Sequence, residues 1–326
     1  MDFHASLIAD ALALAGVAYE IEERSALAGR SGHISSGNLH PETGALEKAV
    51  RAGFATGHPR VLISSELLFD ALIHPASPDL GALRIAHPDA LIRVLLFVRD
   101  PLDHATSHYH QMIKRDGYTG SFADSLQHYR VPQQVCRLVR VARAVGADVT
   151  VFNYSRHTDR LLPLAEGWLG LPDAALAKPP LNRVNRSMTL AELELQRQFN
   201  IPFGKEARRY ISDALCNLLP DIRSETPKLP PEALAEFLAR MGRMTAHPQV
   251  IAAIPATEAY RVPPLAAVAD RFAPAASDAP FAFSADQLHV IAQAISTELR
   301  RQIRHAERNP KPRAAAAGGT GPISRS

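Results

Sequence analysis

The apolar run Val94-Leu95-Leu96-Phe97-Val98 ends in Arg99-Asp100-Pro101, and a serine, Ser107, follows eight residues after the arginine. A guanidinium presents a two-pronged donor to the oxygens of an anion, and a serine hydroxyl can add a third donor, so these types together suit a phosphate. Five apolar residues bounded by polar ones read as a strand buried on both faces. The Asp-Pro pair after it suits the N-cap and first position of a helix, whose free N–H groups and dipole attract anions. On a regular helix starting at Pro101, Ser107 lies roughly 9 Å further along the axis. Either the first turn is irregular or Arg99 reaches over it.

Arg60-Val61-Leu62-Ile63-Ser64-Ser65-Glu66 is the second stretch with chemical content, a short strand ending in two serines and a carboxylate. In an open parallel sheet, ligands bind beyond the carboxyl ends of the strands, so Glu66 and Arg99 are expected to face one crevice. Glu66 also suits the first turn of a helix over 67–72, where a carboxylate complements the dipole. Asp148–Phe152 reads as a further buried strand, with Asn153-Tyr154-Ser155-Arg156 at its crevice end, where Tyr154 either reaches a ligand or packs. His104 and His108 stand i and i+4 beside Asp103 and His110, a spacing that can bind zinc. No HExxH glutamate or distant ligand set accompanies them, and the reading assigns no metal. Neither a nucleophile elbow nor a dinucleotide fingerprint occurs.

The elements that must position these residues alternate to about residue 155. Helices are expected over 3–14, 42–56, 102–115 and from Pro132 to Gly146, with a strand or arm over 17–21 and Ser77–Ala90 as a connector. Such alternation implies α/β architecture with a parallel sheet. From Thr158 the pattern is helical. Thr189 with Glu192, and Ser284 with Gln287, have capping-box spacing, and the second opens a long final helix. The expected division is an α/β core over 1–200, a helical annex over 201–308 packed on it, and a disordered tail over 309–326. Pro-rich patches at 220–231 and 263–280 read as surface loops or a loosely packed annex.

Arg99-Asp100-Pro101 with Ser107, followed by Tyr109, Gln111, Lys114 and a Phe122 segment, resembles the sulfotransferases that use 3'-phosphoadenosine-5'-phosphosulfate (PAPS), most of all bacterial sulfotransferase-like proteins. The likeness runs over about residues 1–200. It implies a three-layer P-loop-like parallel sheet with flanking helices, PAPS as co-substrate, and no metal. It also implies that Arg99 and Ser107 hold the 3'-phosphate, with Tyr154 close to the nucleotide. Sulfuryl transfer to a hydroxyl needs a base for the acceptor proton. Members acting on glycans place a glutamate after a comparable strand, which makes Glu66 the candidate and a carbohydrate or other hydroxyl compound the acceptor. Asn182-Arg183-Val184-Asn185-Arg186-Ser187 resembles a segment of bacterial members whose arginines could meet the anion; it also reads as a polar inter-helix loop.

The chain departs from the pattern at two places. The family's first strand and its Gly-, Lys-, Ser- and Thr-rich loop, which wraps the 5'-phosphosulfate, have no counterpart: Met1–Ile8 already reads as the helix after that loop. Gly29–Gly37 contains no lysine and follows no buried strand. The C-terminal basic-glycine motif of cytosolic members is also absent. The expectation is that the chain starts one strand and one loop late, through a misplaced start or as a truncated or degenerate member. The alternative to an enzyme is therefore a non-catalytic sulfotransferase-like protein with a binding or regulatory role.

Composition narrows the classes. With 326 residues, 46% of them hydrophobic, the chain can bury a large core. A net charge of +3 is too mild for a nucleic-acid protein but compatible with an anionic ligand. Two cysteines, Cys136 and Cys216, suggest a reducing compartment, read as the cytoplasm. No run of 18 apolar residues supports a membrane span, and the first twenty residues lack a basic, apolar signal pattern.

Overall fold

The computed structural model describes residues 5–19, 37–39, 44–74, 79–176, 186–274 and 281–308. The chain is a mixed α/β protein, 62% helical, so helices rather than a sheet carry most of its packing. Helix α1 (Ala5–Leu14) leads into β1 (Val17–Ala18); α2 (Ala45–Ala55) precedes β2 (Arg60–Val61); α3 (Leu68–Ile73) and α4 (Asp79–Ala86) lead to β3 (Arg93–Val98). Helix α5 (Pro101–Gln111) follows at once and runs into a π-helical turn, Met112–Asp116. Next come α6 (Phe122–His128), α7 (Val131–Ala144), β4 (Asp148–Asn153) and α8 (Leu161–Leu169). The rest is helical: α9 (Leu190–Phe203), α10 (Ser212–Leu218), α11 (Pro231–Thr245), α12 (Pro248–Ala253), the single turn α13 (Ala269–Phe272) and α14 (Ala285–Arg308).

The expected sheet is present in parallel sense but not as one piece. β1 pairs with β2, and β3 pairs with β4 in register from Arg93↔Asp148 to Val98↔Asn153, and among the described residues these two pairs share no strand. A local reason is visible beyond β2. Asn38 occupies the backbone groups of the next residues: its amide donates to the Leu62 carbonyl, its oxygen accepts from Ser64 N–H, and its own N–H donates to the Ser64 carbonyl. Gly37 makes this approach possible, with φ 105° and so little room that a Cβ would stand 1.9 Å from the Ser64 carbonyl oxygen. Of Val17–Ile21, expected as a strand or arm, residues 17–19 are described and Val17–Ala18 pair with β2; the strand expected over 60–66 pairs there over Arg60–Val61, and the 77–90 connector contains α4.

Several helix limits follow from local chemistry. Pro101 sits at the start of α5, where its missing N–H costs nothing. Gly117, at φ 74°, closes the π turn after α5, and a left-handed glycine is the common way to stop a helix. Both expected capping boxes form: Thr189 and Glu192 bond reciprocally, as do Ser284 and Gln287.

The largest apolar cluster joins elements from both halves of the chain. Leu102, Tyr109 and Ile113 from α5 and its π turn pack with Phe122 and Leu126 of α6 and with Phe237, Leu238 and Met241 of α11. Burying each such side chain contributes roughly 1.5–3 kcal/mol. This cluster therefore fixes α5, and with it the polar side chains on its opposite face.

Candidate anion site

Helix α5 has two faces with different tasks. Leu102, Ala105 and Tyr109 point into the core, while Asp103, Thr106, Ser107 and His110 line a cleft of about 180 Å³. Positions 103, 106, 107 and 110 are i, i+3, i+4 and i+7, one continuous stripe of a regular helix. Arg99, at the C-terminal end of β3, closes the near end. The cleft thus brings Arg99 and Ser107 together without an irregular first turn, because it runs along the helix. Ser187, Ser224, Thr226, Glu225 and Arg271 form its other side.

Arg99 makes no ion pair among the described residues, and its buried Nε has no hydrogen-bond partner. Its guanidinium carbon stands 5.4 Å from the centre of the Tyr154 ring, a cation–π contact. Tyr154 therefore reaches the site through Arg99 and does not itself line the cleft. Asp100 is turned away from capping α5. Its Oδ1 accepts from Asn153 Nδ2 at 2.8 Å and from Arg261 N–H at 2.9 Å, and its N–H donates to Ser155 Oγ at 3.1 Å. Glu258, in the strap over 256–261, accepts from Asn153 N–H at 2.7 Å and meets His157 at 3.0 Å. The carboxyl ends of β3 and β4 are thus clamped to each other and to this strap, which holds Arg99 and Tyr154 in place.

Arg271 is the cation that sequence reasoning missed. It belongs to α13, inside the Pro-rich patch expected to be loop, and no motif marks it. Its Nη1 bonds Asp103 Oδ1 at 3.1 Å and its Nε faces Thr226 Oγ1 at 3.4 Å. His110, 3% exposed, has an Nδ1 with no partner. Burial, with Lys114 adding repulsion, pushes its pKa down to about 4, so at neutral pH the ring is uncharged. His104 is held near the same value by burial and by the neighbouring His108 and Arg99.

Glu66 stands exposed in the turn before α3, and neither it nor its neighbours line the cleft. Residues 182–185 lie outside the described residues, and so does the tail 309–326. Arg186 is described, and it is committed: both terminal nitrogens bond the Glu192 carboxylate, at 2.7 and 2.8 Å, and it donates to the carbonyls of Leu219, Ser187 and Leu215. Gln287 completes the arrangement by donating to Glu192 at 2.7 Å. Tyr109 and Lys114 are structural as well: Tyr109 donates to the Gly120 carbonyl, and Lys114, 4% exposed, to that of Arg186. His104 and His108 stack at 5.8 Å, and among the described residues no three His, Cys, Asp or Glu side chains are grouped to hold a metal ion.

Two guanidiniums, several hydroxyls and a histidine around a cleft this size fit one phosphate- or sulfate-sized group. Ligand sites that enclose a whole drug-sized molecule run roughly 300–1,000 Å³. The two carboxylates temper the charge: Asp103 is tied to Arg271, and Glu225 accepts from Leu190 N–H at 2.9 Å. Comparison of the chain with protein-family models, with curated proteins and with solved structures found no match.

Proposed function

We propose that this chain is a PAPS-type sulfotransferase protein whose cleft takes the 3'-phosphate of the nucleotide between Arg99 and Ser107. The observation that carries the reading is that these two residues, eight apart, line one polar cleft with Arg271 facing them. Arg99 supplies a charge-assisted fork, Ser107 a hydroxyl donor, and Tyr154 holds the guanidinium plane. Bound PAPS would supply the sulfuryl group, and a carbohydrate or other small hydroxyl compound would receive it. Glu66 is the proposed base for the acceptor proton. The reading carries with it a three-layer P-loop-like organisation in a cytoplasmic protein; the parallel sense of both strand pairs supports that organisation.

A second reading, a non-catalytic relative that binds the nucleotide without turning it over, draws on two observations. Glu66 lies outside the cleft, and the Gly37-Asn38 segment is bonded to the end of β2 and not left open as a phosphate-wrapping loop. Both readings share the anion site, so binding is tested first. Calorimetric titration with 3',5'-bisphosphoadenosine should show saturable binding. Arg99→Ala should weaken it by roughly ten- to a hundredfold, the worth of a hydrogen bond to a charged group, and adenosine 5'-phosphate should bind far more weakly than the bisphosphate. Equal affinity of wild type and variant would reject the site. Sulfuryl transfer that Glu66→Gln abolishes would then favour the enzyme over the binding protein.

A further inference from the structure

Helix α14 has more apolar surface than the fold covers. Gln287, Val290 and Ile291 are buried, and Ile295 joins their cluster with Tyr210, Ile211 and Leu215. Further along, the Gln302 amide meets the Tyr210 hydroxyl. From Ser296 to Arg308 every described side chain except half-buried Glu298 is exposed. On this projecting part lie Leu299, 49% exposed, and Ile303, 57% exposed, and earlier in the helix Leu288 is 55% exposed. Positions 288, 292, 299 and 303 are 4, 7 and 4 apart, so they form one apolar stripe along the helix, beside Ile295, which packs on the body. The stripe turns away from the face that buries Val290 and Ile291.

The charge on this stretch is mainly positive: over 296–308 four arginines stand against Glu298 and Glu307, the latter four residues beyond Ile303. Arg300, Arg304 and Arg308 make no ion pair among the described residues, and Arg301 meets only Glu298, at 3.4 Å with most of its side chain in water. Residues 296–326 contain seven Lys and Arg against two Asp and Glu, a net +5, which leaves a net −2 for the other 295 residues. A helix with an exposed apolar stripe, arginines on the face away from it and a positive charge that the rest of the molecule lacks has the composition of a helix that lies in a lipid interface. The geometry points to α14 as a docking element for an anionic membrane surface. Its stripe enters the headgroup–acyl boundary and its arginines meet the lipid phosphates. A second copy of the chain fits less well, because pairing the stripes would bring two arginine-rich helix ends together with few acids to meet them.

The test is co-sedimentation of the full chain with vesicles of phosphatidylcholine plus phosphatidylserine, and with phosphatidylcholine alone, at low and high salt. Binding should require the anionic lipid and fall with salt. Leu299→Gln with Ile303→Gln should weaken it by roughly tenfold or more through the lost apolar burial. Arg304→Gln with Arg308→Gln should weaken it about fivefold per charge. All four positions are exposed, so the variants should keep the wild-type circular dichroism. Sedimentation velocity without lipid supplies the other arm. Binding indifferent to lipid charge, binding untouched by the Leu299/Ile303 change, or a lipid-free dimer that the same change dissociates would each overturn the proposal.

Discussion

Arg271 and Asp103 face each other across the mouth of the cleft, and their 3.1 Å contact is half exposed, so its own contribution to stability is small. Its effect on an incoming anion is larger, because the ligand must compete with Asp103 for the same guanidinium. Arg271→Ala should therefore lower the affinity for 3',5'-bisphosphoadenosine by roughly tenfold, while Asp103→Asn should raise it by a few-fold through loss of a like charge. Calorimetry of both variants checks the pair, and matching changes in the two would sink the idea that Asp103 opposes the ligand. Arg99 was legible from sequence because a strand, a cation and a helix start are contiguous. Arg271 was not, because it comes from a segment 172 residues later that carries no motif and reaches the cleft only through tertiary packing.

At the scale of elements, the junction of α9 with α10 and α14 is held by charge in an apolar setting. Arg186 and Glu192 are both almost fully enclosed, and Glu192 also holds Gln287 from the start of α14. Burial works against the ionised carboxyl, but hydrogen bonds from Arg186, Gln287 and Thr189 outweigh it and hold the Glu192 pKa below its usual value. Removing one partner leaves the other charge unpaired in a dry site, which typically costs 3–5 kcal/mol, or about that here. Glu192→Ala should shift the urea unfolding midpoint by a corresponding amount, and a change under about 1 kcal/mol would show that water reaches Arg186. The Thr189–Glu192 capping box was legible from spacing alone; that the same carboxylate also receives Arg186 and Gln287 was not. Helix α11 was covered only by the general helical pattern after Thr158, although Leu234, Phe237, Leu238 and Met241 have helical spacing behind a proline at the first position. Helix α4 was harder: it has eight residues, contains Gly81 and carries a weak stripe.

The whole molecule carries two neutral histidines on α5, His110 buried and His104 half-buried, and this ties its stability to pH. His104 and His110 titrate near pH 4 when folded, against an ordinary value near 6.5, because burial disfavours their charged forms. Between those values the unfolded chain binds protons that the folded chain does not. Stability should therefore be full above about pH 6.5 and fall progressively toward pH 4, by at most about 3 kcal/mol per histidine. Urea unfolding across that range should show the loss. His110→Gln should flatten part of the slope, and an unchanged slope in the double variant with His104→Gln would place the titrating groups elsewhere. Because the largest apolar cluster joins α5 to α11, this instability is shared by both elements.

Sequence by itself determined local events: the two capping boxes, the helix start at Pro101, the extended runs over 94–98 and 148–152, and that a cation and a hydroxyl follow a strand and a helix start. It did not give burial, since residues 94–97 of β3 are half-buried and only Val98 is buried, and β2 spans only Arg60–Val61. The local events depend on periodicity, on proline and glycine at fixed offsets, and on side chains that bond their own backbone within four residues. Only the tertiary structure decided that the parallel strands stand as two pairs, that Tyr154 stacks on Arg99, that Arg271 closes the cleft, and that Glu66 stays outside it. The reason is physical: each of those outcomes depends on groups tens to hundreds of residues apart. Their meeting is set by which apolar faces bury one another, and that is a property of the whole packed chain.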